Sequence, residues 1–124
     1  MRYVILALAL FSILIAGCSP GTGKVKGQIV ENGQPKTFPA SSHAIEMSMI
    51  GANGEPDNMK SFTAVVDTDG TFEVLASGGQ VPPGTYRVSV QGPFTKKLSA
   101  KVAVKREIVV GDNDITIDLA KPTE

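Results

Sequence analysis

The sequence predicts an all-β fold: a single antiparallel β-sandwich of about seven strands behind a cleaved leader. Three observations carry this. Short stretches rich in β-branched residues alternate apolar and polar side chains. Gly and Pro, 13 and 8 of them in 124 residues, interrupt these stretches at intervals too short for long helices. The alternation also leaves every strand one apolar and one wet face, as in antiparallel sheets with one side on a core.

The elements follow in order. In 24–30, "KVKGQIV", Val25, Gly27 and Ile29 share a face, and Asn32-Gly33 tolerates the positive φ angles of a tight hairpin turn. "HAIEMSMI" (43–50) sets Ile45, Met47 and Met49 on one side, with Glu46 and Ser48 opposite. After the loop 51–58, Phe62, Ala64 and Val66 group together. "TDG" turns the chain, and Phe72 and Val74 point inward. The loop "SGGQVPPG" precedes 85–92, where Tyr86, Val88 and Val90 alternate with Thr85, Arg87 and Ser89. In 97–105, Leu98, Ala100, Val102 and Val104 oppose Lys97, Ser99, Lys101 and Lys105. "EIVV" and "DITIDL" flank Gly111-Asp112-Asn113 as a hairpin would, with Ile115, Ile117 and Leu119 inward and Thr116 and Asp118 outward.

The first eighteen residues have a different logic. Arg2 begins them, 3–15 is apolar apart from Ser12, and Ala16 and Gly17 lead to Cys18, the single cysteine. This is the layout of a secretory signal peptide, and the apolar run is shorter than the roughly 20 residues of a spanning helix. Ile15-Ala16-Gly17-Cys18 resembles the lipobox of bacterial lipoproteins. The resemblance implies cleavage before Cys18 and lipidation of its sulfur, with acyl chains enough for stable anchoring. Ser19 stands where those proteins carry aspartate for inner-membrane retention, which favours the outer membrane. The expected division is leader 1–17, lipidated tether 18–23, sandwich 24–119 and polar tail 120–124.

"GKVKGQIVENGQP", "DTDGTFEV", "PPGTYRVSVQG" and "VGDNDITIDL" together resemble the carboxypeptidase-regulatory-like, transthyretin-like β-sandwich domains. The resemblance spans roughly 22–119. In 36–42, "KTFPASS" departs from the short link of that pattern and leaves the next strand's start open. The resemblance implies an Ig-like sandwich and carries no catalytic residues; neither peptidase activity nor hormone binding follows from such a fold.

Composition excludes several function classes. Lys+Arg and Asp+Glu balance at 12 each, so no net field invites nucleic acid. With Cys18 acylated no thiol remains for a disulfide, a metal cage or a nucleophile. There is no Trp, and Tyr3 and Phe11 lie in the leader, so few aromatic faces remain to stack sugars.

Candidate sites read better as structure. Asp67 and Asp69 invite calcium, but the twelfth residue from Asp67 is Gly78 rather than the glutamate of an EF-hand loop, and Asp-x-Asp-Gly is a turn. Lys96, Lys97, Lys101, Lys105 and Arg106 form a basic stretch whose lysines at 97, 101 and 105 share the wet side of one strand, where they also deter edge-to-edge pairing. His43, Met47 and Met49 share a strand face, with Met59 beyond the next loop, and thioether with imidazole suits Cu(I); Ile45 shares that face, and Met is an adaptable core filler. A lone histidine and no Gly-x-Ser-x-Gly elbow leave no catalytic residue to name. No cofactor and no metal are expected. The chain reads as a non-enzymatic, lipid-anchored module of the cell envelope, structural or protein-binding, with the membrane and an envelope protein as partners. A metal- or glycan-binding module and an accessory subunit of an envelope enzyme stay open.

Overall fold

A computed structural model describes residues 21–93 and 102–121. The leader, Cys18, residues 94–101 with Lys96, Lys97, Leu98, Ser99, Ala100 and Lys101, and residues 122–124 of the tail lie outside the described residues.

The described chain forms eight strands: β1 (Gly23–Glu31), β2 (Gln34–Pro35), β3 (Ala44–Ile50), β4 (Pro56–Val65), β5 (Thr71–Glu73), β6 (Gly84–Gln91), β7 (Val102–Ile108) and β8 (Gly111–Asp118). A four-stranded sheet runs β4-β3-β6-β7, antiparallel throughout. The second sheet is built around β1: β8 follows one edge for its whole length, and β5 and β2 share the other. The two sheets face each other, as the sequence predicts. Val25, Ile29, Ile45, Met47, Val66, Phe72, Val74, Tyr86, Val88, Ile115 and Ile117 form one continuous core. Met49, Phe62 and Leu119 pack at its margin.

The Asn32-Gly33 hairpin is present, with φ of 51° and 76°, the left-handed pair that matches strand twist in a two-residue turn. The carboxylate of Asp118 accepts the N–H groups of Asn32 at 3.0 Å, Gly33 at 3.2 Å and Ala120 at 2.9 Å. The last strand therefore fastens the first turn. These bonds, that of Ala120 foremost, hold the Asp118 carboxyl below the ordinary carboxylate range.

Three expectations need correction. Gly111-Asp112-Asn113 is not a hairpin. β7 ends in one sheet, Val109 and Val110 cross over, and β8 joins the other sheet parallel to β1, Gly23 opposite Gly111. The Asn113 side chain holds the crossing: its oxygen accepts the Val109 N–H at 3.0 Å, and its nitrogen faces the carbonyls of Val109 at 2.9 Å and Lys24 at 3.1 Å. The sandwich thus contains one parallel pair. The second correction concerns Ser48 and Ser89, which sit on the outer side of their strands as alternation requires, yet are buried. Both lie on interior strands of the sheet, in a groove lined by Glu46, Arg87 and Gln91. The Ser48 and Ser61 hydroxyls bond at 2.9 Å, and the Gln91 amide donates to Ser89 at 3.1 Å. Third, the loop read at 51–58 is shorter, because β4 begins at Pro56; the segment 36–43, left open by the sequence, contributes Phe38 to the core, 7 % exposed, its N–H bonded to the Thr68 carbonyl at 2.9 Å.

Val88→Ala, at a fully buried site, is expected to cost about 1–3 kcal/mol, as large-to-small core changes do. Ser89→Ala is expected to cost up to about 1 kcal/mol, through the amide of Gln91 left without its acceptor. Urea denaturation of the two variants beside the parent checks both.

Candidate functional site

The His43, Met47, Met49 and Met59 set is not assembled. Met47 has no exposed surface and lies in the core opposite Phe62 and Val88. Met59 is 93 % exposed on edge strand β4, beside the bulge where the β3–β4 register shifts. Met49 packs over Gly84. His43 lies just before β3, not in it.

His43 instead lines a cleft at the end of the sandwich that also holds the β1–β2 turn. Lys36, Phe38, Val90, Pro93, Val102 and Leu119 form its walls around about 300 Å³. The Phe38 and His43 rings meet edge to face, centroids 4.7 Å apart. Gly92, at a φ of 126°, lets the ring approach: a Cβ there would meet the imidazole Cδ2 at 2.8 Å.

The Ser42 Oγ lies 2.7 Å from His43 Nδ1 and donates to the Pro39 carbonyl at 2.7 Å. A hydroxyl has one hydrogen and a carbonyl can only accept, so Nδ1–H must be the donor to Ser42. In that arrangement the imidazole cannot take the serine proton at Nδ1. The contact orders the loop and does not activate a nucleophile. The sequence gives little sign of this cluster, because "KTFPASS" has no strand or helix period; its one signal is a lone Phe beside Pro in a polar stretch.

Burial, and secondarily the Lys36 charge, pushes the His43 pKa below the ordinary imidazole value. The unfolded chain therefore takes up this proton first. Stability is expected to fall as pH drops from about 7.5 through about 6.5, and to level off once the folded imidazole is also protonated. Thermal denaturation across that range checks this, with His43→Gln expected to flatten the slope.

The Asp67–Gly70 segment is a turn. The Asp69 carboxylate accepts the Thr71 hydroxyl at 2.6 Å and its N–H at 3.1 Å, and these bonds lower its pKa. Gly70, at a φ of 82°, fits where a Cβ would strike the Lys36 carbonyl. Among the described residues no group of three or more His, Cys, Asp or Glu side chains is placed to hold a metal ion. From the basic stretch, Lys105 is exposed on edge strand β7, while the Arg106 guanidinium donates to the carbonyls of Lys105 at 2.8 Å and Thr116 at 3.2 Å. A shallow polar groove crosses the outer face of each sheet. One is lined by Lys26, Gln28, Glu73 and Asp114 and the other by Glu46, Glu55, Arg87 and Gln91.

No family model matches the chain. No curated protein matches it. Among solved structures, it is similar to a variant of BcpA, the major pilin subunit of Bacillus cereus, with a TM-score of 0.45 and 17 % identity; the match covers 80 % of this chain and 30 % of the pilin subunit.

Proposed function

We propose that this chain is a non-enzymatic, lipid-anchored β-sandwich module of the bacterial cell envelope, of the carboxypeptidase-regulatory-like, transthyretin-like type, serving as a structural or protein-binding element. The observation that carries the reading is Cys18, the single cysteine, set directly after an apolar run and Ile15-Ala16-Gly17. The Ser42–His43 pair offers no counter-example, because its hydrogen bond points the wrong way for a nucleophile and base. Ser19 after the cysteine supports the outer membrane as the address.

Protein extracted from native membranes is expected to begin at Cys18 and to carry acyl mass. Cys18→Ala is expected to remove that mass and move the protein from the detergent phase to the aqueous phase. An unmodified N-terminus elsewhere in the intact-mass spectrum would refute the anchor. Crosslinked pull-down from the same membranes then identifies the envelope partner.

A further inference from the structure

The two ends of the sandwich differ in chemistry. Segments 21–23, 50–54, 75–84 and 108–111 converge on the end where β1 and β8 begin and where Gly84 faces Ile108. None of them contains a charged residue. The opposite end carries Glu31, Lys36, His43, Asp67, Asp69, Asp118 and Lys121. Of the five large hydrophobic side chains exposed among the described residues, three, Leu75 at 70 %, Val109 at 51 % and Val110 at 60 %, stand at the uncharged end, while Met59 and Val65 lie apart on edge strand β4. Pro82 and Pro83 are exposed beside them.

The chain toward Cys18 leaves from the middle of this surface. Gly21 lies against Val110, where a Cβ would come within 2.7 Å of its side chain, and the Gly111 N–H bonds the Thr22 carbonyl at 3.2 Å. Three residue steps separate Gly21 from Cys18, a reach of about 10 Å at full extension. A lipid on Cys18 therefore holds this end, and no other, next to the bilayer.

We propose that the uncharged end, with Leu75, Val109 and Val110 at its tip, docks onto the lipid surface and fixes the orientation of the sandwich on the membrane. The proposal rests on the lipid-anchor reading. Tethering makes the contact intramolecular, so a small apolar tip is enough to bias orientation although it would not recruit the domain alone. Charged groups resist transfer into the interface; those next to these segments in the chain are Lys24, Asp112 and Glu55, the last closing the 51–55 loop and lining the groove on the outer face of the β4-β3-β6-β7 sheet. They are mixed in sign, so the contact is apolar and does not depend on anionic lipid.

The chain has no Trp, so a single introduced indole reports depth. Lipidated full-length Leu75→Trp, Val110→Trp and Thr37→Trp variants, the last at the charged end, are reconstituted into phosphatidylcholine vesicles containing brominated acyl chains. The first two are expected to lose most of their fluorescence and shift to the blue, Thr37→Trp to be unaffected, and added phosphatidylglycerol to change nothing. Two sites at the tip guard against one variant failing to fold. Equal, weak quenching at all three sites in protein of confirmed acyl mass would overturn the docking and leave the anchor standing. Absence of acyl mass would remove the anchor and the docking with it. A blue shift that persists without lipid and grows with protein concentration would assign the tip to a second copy and overturn the lipid contact.

Discussion

Gly27→Ala is expected to cost about 3 kcal/mol or more, the upper end of what overpacking does, and to leave little native protein at 37 °C. Gly27 is buried in β1, between Phe72 of β5 and Ile115 of β8. A Cβ there would be driven onto the Ile115 carbonyl oxygen and to within 2.5 Å of the Phe72 ring. The ring is a side chain and could rotate. The carbonyl belongs to the ladder that pairs the first and last strands, and moving it would part the only parallel pair among the described strands. Phe72→Leu added to Gly27→Ala is therefore expected to restore only a fraction of the loss. Lys26→Ala, one position away on the exposed face, is expected to stay within about 0.5 kcal/mol of the parent. Guanidinium denaturation of the four proteins checks the series; a Gly27→Ala protein as stable as Lys26→Ala would contradict the packing described.

Tyr86→Ala is expected to cost about 3–5 kcal/mol, as removing a buried aromatic ring does. Tyr86 is the largest side chain with no exposed surface, and it links three parts of the structure. Its strand β6 pairs with β3 and β7 at this position, opposite Met49 and Arg106. Its ring meets Phe62 edge to face at 6.3 Å. Its hydroxyl donates to the Pro82 carbonyl at 2.7 Å, tying the strand to the loop before it. Burial raises the phenol pKa, so the neutral donor form is the one held. Tyr86→Phe keeps the ring and loses only that bond, so about 1 kcal/mol is expected. Comparable losses in the two variants would show that the hydroxyl, not the ring, dominates.

Much of the fold was legible along the chain, because strand alternation is local. Which of Val88 and Arg87 faces inward follows from a period of two. So do the inward faces of Ile45, Met47, Phe72 and Ile115, and the Asn32-Gly33 turn follows from two residues that accept positive φ. What failed was non-local. The run 107–119 reads as two strands around a Gly-Asp-Asn turn, and nothing within it says that the strands belong to different sheets. The parallel ladder of β8 with β1 decides that, with the Asn113 side chain adding a bond to Lys24, which lies 89 positions earlier in the chain.

The site residues divide the same way. Met47 could be weighed as core or ligand from sequence, since both uses need the same face; the packing of β3 between β4 and β6 puts it in the core. Ser89 could be placed on the outer face but not assigned its burial, which depends on the width of neighbouring side chains. Phe38 was invisible because its loop has no period of its own and its backbone partner Thr68 lies far along the chain. The residues alone thus indicated most strands and their apolar faces, each a property of consecutive positions, and the anchor proposed at Cys18 rests on the same kind of local pattern. The tertiary structure decided the pairing of β1 with β8, the plug at Phe38 and the gathering of Leu75, Val109 and Val110 beside Gly21. Those arise only when segments far apart in the chain compete for the same edge, cavity or end of the sandwich.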